Sequence, residues 1–108
     1  MHLEDYYVET RRLILNARHL PQSEYQELYR YTSGLEIGRY GFMTALYDNG
    51  VIIYLEKTSE DKLRLTNMPV LIDILISAFK EKISIIDFDE TYIGRESEKT
   101  IELYTWSE

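Results

Sequence analysis

The chain contains no cysteine. That removes disulfides, thiol nucleophiles and thiolate metal sites in one step, and it fits an intracellular protein. Proline and glycine are few, two and five; no linker or low-complexity tract is present, and a length of 108 residues makes a single domain over 1–108 the expectation. Histidine is equally scarce. His2 stands at the terminus, and His19 has no second histidine to pair with as a ligand or a general base. No apolar run approaches the roughly 20 residues that span a bilayer, and the start MHLEDYYVETRR is too acidic for a secretion signal. The expected location is the cytoplasm, with no membrane partner. Positive charge is in deficit, with 12 basic against 19 acidic residues and a net charge of −7. Such a field repels a phosphate backbone, so direct nucleic-acid binding is not expected. Sequences for a nucleophile elbow, a zinc protease helix, a Walker loop or a dinucleotide fingerprint are missing, and Gly34, Gly38 and Gly41 are spaced for turns.

What the chain does have is apolar and tyrosine-rich: 44% hydrophobic residues and ten tyrosines, enough for an ordinary core. RRLILNARH (11–19) has strand character, with Leu13, Leu15 and Ala17 on one side and Ile14, Asn16 and Arg18 on the other. LPQSEYQELYRYTSG (20–34) reads as a helix. Pro21 suits its first turn, Ser23 and Gln26 form a capping box, Tyr25, Leu28 and Tyr29 make the apolar stripe, and Gly34 stops it. In RYGFMTALYDNGVIIYLEK (39–57), Asn49-Gly50 predicts a type I′ hairpin that sets Tyr47 opposite Ile52. One face then holds Phe42, Thr44, Leu46, Val51, Ile53 and Leu55, the better core face. The other holds Met43, Ala45, Tyr47, Ile52, Tyr54 and Glu56.

Residues 57–67 form a polar connection. NMPVLIDILISAFKEK (67–82) is predicted as an amphipathic helix capped by Asn67, with Leu71, Ile74, Leu75, Ala78 and Phe79 as its buried stripe. A strand, ISIIDF (83–88), and a closing strand, TIELYTW (100–106), complete the order β-α-β-β-α-β plus one. The economical fold is α+β: a ferredoxin-like split β-α-β sandwich, mainly antiparallel, with two helices on one face. Its other sheet face then carries Met43, Tyr47, Ile52 and Tyr54, joined by Ile14, Tyr104 and Trp106. A patch of that size is an expected interface.

Two stretches invite a sharper reading. In ISIIDFDETYIG (83–94), Asp87, Asp89 and Thr91 resemble the D-x-D-x-T that opens haloacid dehalogenase-like phosphatases after an apolar strand. There the first Asp is the nucleophile, the second the general acid/base, and the Thr orients the phosphoryl group. That chemistry also needs a lysine, a second acidic cluster and a parallel sheet downstream. Only 17 residues follow Thr91, so no catalytic residue, metal or cofactor is expected, although Asp87, Asp89 and Glu90 offer oxygens to a hard cation. A strand end entering solvent explains the same residues. The second stretch, RYGFMTALY with Arg39, Tyr40 and Phe42, is the nearest approach to an RNA-stacking strand, but the surrounding field is acidic and Glu56 shares the sheet face. A protein-contact surface suits Tyr, Trp and Met better. Residues 87–108 carry five of the seven net negative charges, beginning with Asp87, Asp89 and Glu90, and offer contact charges for a basic partner.

Several separated pieces, LNARHL (15–20), YGF (40–42), PVLIDILISA (69–78), IIDFDE (85–90) and LYTW (103–106), stand in a recognisable order. Together they resemble a family of small bacterial proteins encoded on plasmids and other mobile elements, with an L-S-T-A-H strand, a Y-G-F strand, an F-D-x-D strand and a terminal Y-x-W. Asn16 and Arg18 depart from the family's small hydroxylated pattern, and D-F-D is out of phase with its F-D-x-D. The resemblance implies an accessory gene and no catalytic residues. The expected function is non-enzymatic protein binding: inhibition of a host defence or nucleic-acid-binding protein from a phage or mobile element. The expected contacts are Met43, Tyr47, Ile52, Tyr54, Trp106, Asp87, Asp89 and Glu90. A homo-oligomeric structural or immunity-type protein, with a homodimer, is the alternative, and a Mg-dependent phosphotransferase using Asp87 and Asp89 the remaining one.

Overall fold

The computed structural model describes residues 7–9 (backbone only), 11–33, 41–56, 58–92 and 103–106. In chain order the elements are β1 (Tyr7–Glu9), β2 (Arg12–Asn16), a 3-10 turn (Ala17–His19), α1 (Gln22–Ser33), β3 (Met43–Tyr47), β4 (Gly50–Tyr54), α2 (Glu60–Leu63), α3 (Pro69–Lys80) and β5 (Ile85–Asp89). The expected terminator Gly34 and the Arg39-Tyr40 pair lie outside the described residues, as does most of the acidic segment after Tyr92.

The α+β class holds, and the strands form one mixed sheet in the order β1-β2-β5-β4-β3. The ferredoxin-like strand order does not hold. That order sets the first strand of the split motif beside the hairpin and the last strand at the edge. Here β5 lies between β2 and β4, parallel to β2 and antiparallel to β4. Both neighbours of β5 offer the same alternation of apolar and polar positions, so periodicity alone did not choose between them.

Alternation does decide the faces. Leu13 and Leu15 of β2, Val51 and Ile53 of β4, and Ile86 and Phe88 of β5 are buried on one side. They share a core with Tyr25, Leu28 and Tyr31 of α1 and Leu71, Ile74, Leu75 and Ala78 of α3. Each such apolar side chain contributes on the order of 1.5–3 kcal/mol. In α1 the buried stripe continues through Tyr31, while Tyr29 points to solvent, and the helix begins after Pro21, whose carbonyl accepts from Glu24 and Tyr25.

The hairpin turn falls one residue earlier than Asn49-Gly50 predicts. Tyr47 pairs with Gly50 and Ala45 with Ile52, so Asp48 and Asn49 make the turn, and neither has positive φ. The shift moves pairing by two residues, an even number, which is why the two expected faces survive intact. Gly50 instead sits inside β4, where a Cβ would fall 1.9 Å from the Phe88 carbonyl oxygen.

Helix ends are settled by long-range partners. The N-cap of α3 is Met68 and has no side-chain hydrogen bond, so the expected Asn67 cap is not used. Its place is taken by the buried Glu24 of α1, whose carboxylate accepts from Val70 N at 3.2 Å and Leu71 N at 2.8 Å. The connection after β4 also holds a short helix, α2, capped by Ser59.

At the other end of α3, Ile83 N donates to Ala78 O and Lys82 N to Phe79 O, the paired bonds of a Schellman motif. Lys82 occupies the left-handed position at φ 60°, where glycine is preferred. Lys82→Gly is therefore expected to raise stability by about 1 kcal/mol, seen as a higher urea midpoint with an unchanged slope.

Of the predicted final strand, only the last four residues fall among those described. Residues 103–106 are irregular, and 100–102 lie outside the described residues. Tyr104 N donates to Arg18 O at 2.9 Å. Trp106 donates from Nε1 to Leu20 O at 2.9 Å and stacks on Tyr25 at 5.1 Å between ring centroids.

Candidate functional site

The sheet face opposite the helices is laid out by strand register. One row runs Arg12, Ile85, Tyr54 and Met43; the next runs Ile14, Asp87, Ile52 and Ala45; the third runs Asn16, Asp89, Gly50 and Tyr47. Met43 is 60% and Tyr54 39% exposed, and they face each other across the hairpin. Ile14, Ile52 and Ile85 are half-buried beside them. Among the described residues no helix covers this side.

At its centre stands a carboxylate. Asp87 is 2% exposed, because the flanking Ile14 and Ile52 and the overlying Arg12 and Tyr47 close around it. Arg12 donates from Nε at 2.6 Å, and from Nη2, to the single oxygen Oδ2. Oδ1 accepts no hydrogen bond. Burial raises the Asp87 carboxyl above the ordinary carboxylate range; the Arg12 hydrogen bonds and charge pull it back, and Asp89 adds to the rise.

Gly50 has no side chain to separate its register neighbours Tyr47 and Asp89. The Tyr47 hydroxyl is buried beside these carboxylates without a hydrogen bond of normal geometry. Burial, then the negative charges of Asp87 and Asp89, push its ionisation upward.

The rest of D-F-D-E-T closes the strand. Asp89 Oδ1 accepts from Thr91 N at 2.7 Å and from Thr91 Oγ1 at 2.8 Å, a local turn that ends pairing. Glu90 N donates to Asn49 O, and its carboxylate accepts from the Tyr25 hydroxyl at 2.8 Å. Burial first, and that bond second, raise the Tyr25 ionisation. Asn16 Nδ2 donates to Tyr92 O at 2.7 Å. Among the described residues no group of three or more His, Asp or Glu is placed to hold a metal ion.

The eight residues singled out from sequence thus divide. Met43, Tyr54 and Ile52 share the open face, with Tyr47 at its border. Asp87 lies under that face, buried and paired with Arg12. Asp89 and Glu90 sit at the strand end, Glu90 exposed. Trp106 and Tyr104 do not join the face, because the aromatic stack on Tyr25 and the bond to Leu20 hold the segment beside α1.

Arg12, the counter-charge of Asp87, is not among those eight. Its signal was parity: Arg12 alternates with the buried Leu13, exactly one register step from Ile14, so a charged residue had to share the face with Asp87. No helix among the described residues is long and apolar enough to cross a membrane. Comparison of the chain with known proteins finds no matching family model, no similar curated protein and no similar solved structure.

Proposed function

We propose that this chain is a non-enzymatic binding protein that acts by occluding a partner protein with the open face of its sheet. The observation that carries this reading is the exposure of Met43 and Tyr54 side by side, continuous with Ile52, Ile85 and Ile14. Large apolar side chains gathered in this way are the usual core of a protein contact. The D-F-D-E-T residues support it from another direction. Asp87 is committed to Arg12 and Asp89 to Thr91, so each has a structural task that accounts for its presence. The accessory-gene origin implied by the sequence resemblance makes the partner a host protein, with inhibition as the outcome of its burial.

The test pairs Met43→Ala with Tyr54→Ala in one variant. Both side chains are exposed, so the far-ultraviolet spectrum and urea midpoint are expected to stay close to wild type. Capture of the partner by the immobilised chain is expected to fall at least tenfold, as for loss of aromatic anchors at the centre of an interface. Unchanged capture would remove the open face from the account. A steep loss of capture between low and physiological salt would shift the contact to the acidic segment, because screening acts on exposed charges and not on an apolar face.

A further inference from the structure

We infer that the chain associates with a second copy of itself through the free edge of β3, the two strands pairing antiparallel about Ala45. β3 ends the sheet order, and among the described residues nothing pairs with its outer side. An edge strand presents alternate backbone N–H and C=O groups to any other strand, and proteins guard such edges with charge, proline, bulges or brevity. β3 has none of these guards. It reads MTALY and pairs residue for residue with β4 without a bulge. It is open on both sides: Met43 on the open face and Leu46 on the helix face are 60% and 40% exposed. The opposite edge differs, since β1 is three residues long and carries Glu9.

The sequence of β3 itself favours a second copy as the occupant, and this edge adds no like-charge pair to oppose it. A two-fold pairing sets each patch against itself, so a chain of net charge −7 repels its own copy wherever the paired strands are acidic. β3 carries no charge and brings no like pair into the contact, whereas β1 would bring two copies of Glu9. The sequence is also self-complementary about its midpoint. Ala45 meets Ala45 of the second copy, and the small pair leaves room on the open face for Met43 to meet the Tyr47 of that copy, a favourable sulfur–aromatic pair. On the helix face Thr44 meets Leu46. The two sheets then run on as one, and their open faces join. A five-residue edge pairing lies at or below the small end of stable interfaces, about 1,200 Å² in total, so a weak dimer populated at high concentration is expected. This inference shares Met43 with the open-face reading, but its test rests on Ala45, and loss of partner capture and loss of self-association are separate readouts.

The test is sedimentation equilibrium of the full chain up to on the order of 100 µM, where a dimer is expected. Ala45→Glu sets two carboxylates face to face on the axis and is expected to weaken the dimer at least tenfold. Ala45→Cys introduces the only thiol in a chain that has no cysteine. Facing Cβ atoms at the axis stand about 4.5–5.5 Å apart, close enough to bridge with a small shift, so mild oxidation is expected to give a disulfide-linked dimer. Met43→Cys, whose copies are offset across the axis, is expected to link far more slowly. A monomer at the highest concentration overturns the proposal and leaves the edge to another protein's strand. So does a dimer that Ala45→Glu does not weaken or Ala45→Cys does not link. If Ala45→Glu fails to fold, the cysteine pair decides alone.

Discussion

Arg12→Ala is expected to destabilise the fold by about 3 kcal/mol or more, while Asp87→Asn costs less than about 1 kcal/mol. The two residues form one ion pair, yet they occupy different environments. The Arg12 side chain is 46% exposed and returns to water when its partner is removed. Asp87 is 2% exposed and cannot. Removing the arginine therefore leaves an uncompensated buried charge, whereas removing the carboxylate charge leaves an arginine that water already reaches. The double variant Arg12→Ala/Asp87→Asn is expected to recover most of the loss, because the remaining neutral amide costs far less to bury than a charge.

The pH dependence follows from the direction of the Asp87 shift. Its carboxyl is raised from the ordinary 3.8, and loss of Arg12 raises it further. Between 3.8 and the raised folded value, the native state binds more protons than the unfolded state, so stability rises as pH falls. Below that window both states are protonated and the gain stops. The Arg12→Ala penalty is thus expected to shrink on acidification, as read by urea midpoints across the weakly acidic range. A penalty independent of pH would mean that Asp87 is not the buried charge described.

Gly50→Ala is expected to cost about 3–5 kcal/mol, among the largest effects a single methyl can have. The added Cβ would lie 1.9 Å from the Phe88 carbonyl oxygen and 3.0 Å from its carbon. Both are backbone atoms of a central strand, so β4 and β5 must separate, and no rotamer change relieves the clash. Ile52 and Tyr47 move with β4, so the cover over Asp87 opens as well. Asn49→Ala gives the contrast. A type I′ turn would need positive φ at Asn49, and alanine there would be costly. Asn49 has no such φ, so its replacement is expected to stay within about 0.5 kcal/mol. Urea denaturation of the two variants separates close strand approach from turn geometry as the reason for the glycine.

That contrast shows where the sequence was legible. Alternation assigned Thr44, Leu46, Val51 and Ile53 to the core face and Met43, Ala45, Tyr47, Ile52 and Tyr54 to the other, and both sets hold. The helical periods around Leu28 and Leu75 placed α1 and α3. What periodicity could not supply was the identity of neighbours. The parallel pairing of β2 with β5 joins residues more than 70 positions apart, and nothing local prefers it over the ferredoxin-like alternative. Glu24 reads as an ordinary solvated residue of a helix, because its partners Val70 and Leu71 lie on α3. Trp106 sits in a β-rich run, yet stacking on Tyr25 and a single hydrogen bond outweigh that propensity. Asp87 alternates as a surface residue should, and only the neighbouring strands reveal that Ile14, Ile52 and Arg12 bury it.

Partner binding on the open face is read most directly by site-specific crosslinking. A photoreactive benzophenone side chain is placed at position 54, on that face, or at position 29, exposed on α1, in the full chain inside cells that carry its gene. The expected result is one discrete heterologous adduct from position 54 and none from position 29. An adduct of twice the chain's own mass reports self-association and is scored apart. A heterologous adduct from position 29 alone would contradict the account, because the partner would then sit on the helices and not on the sheet.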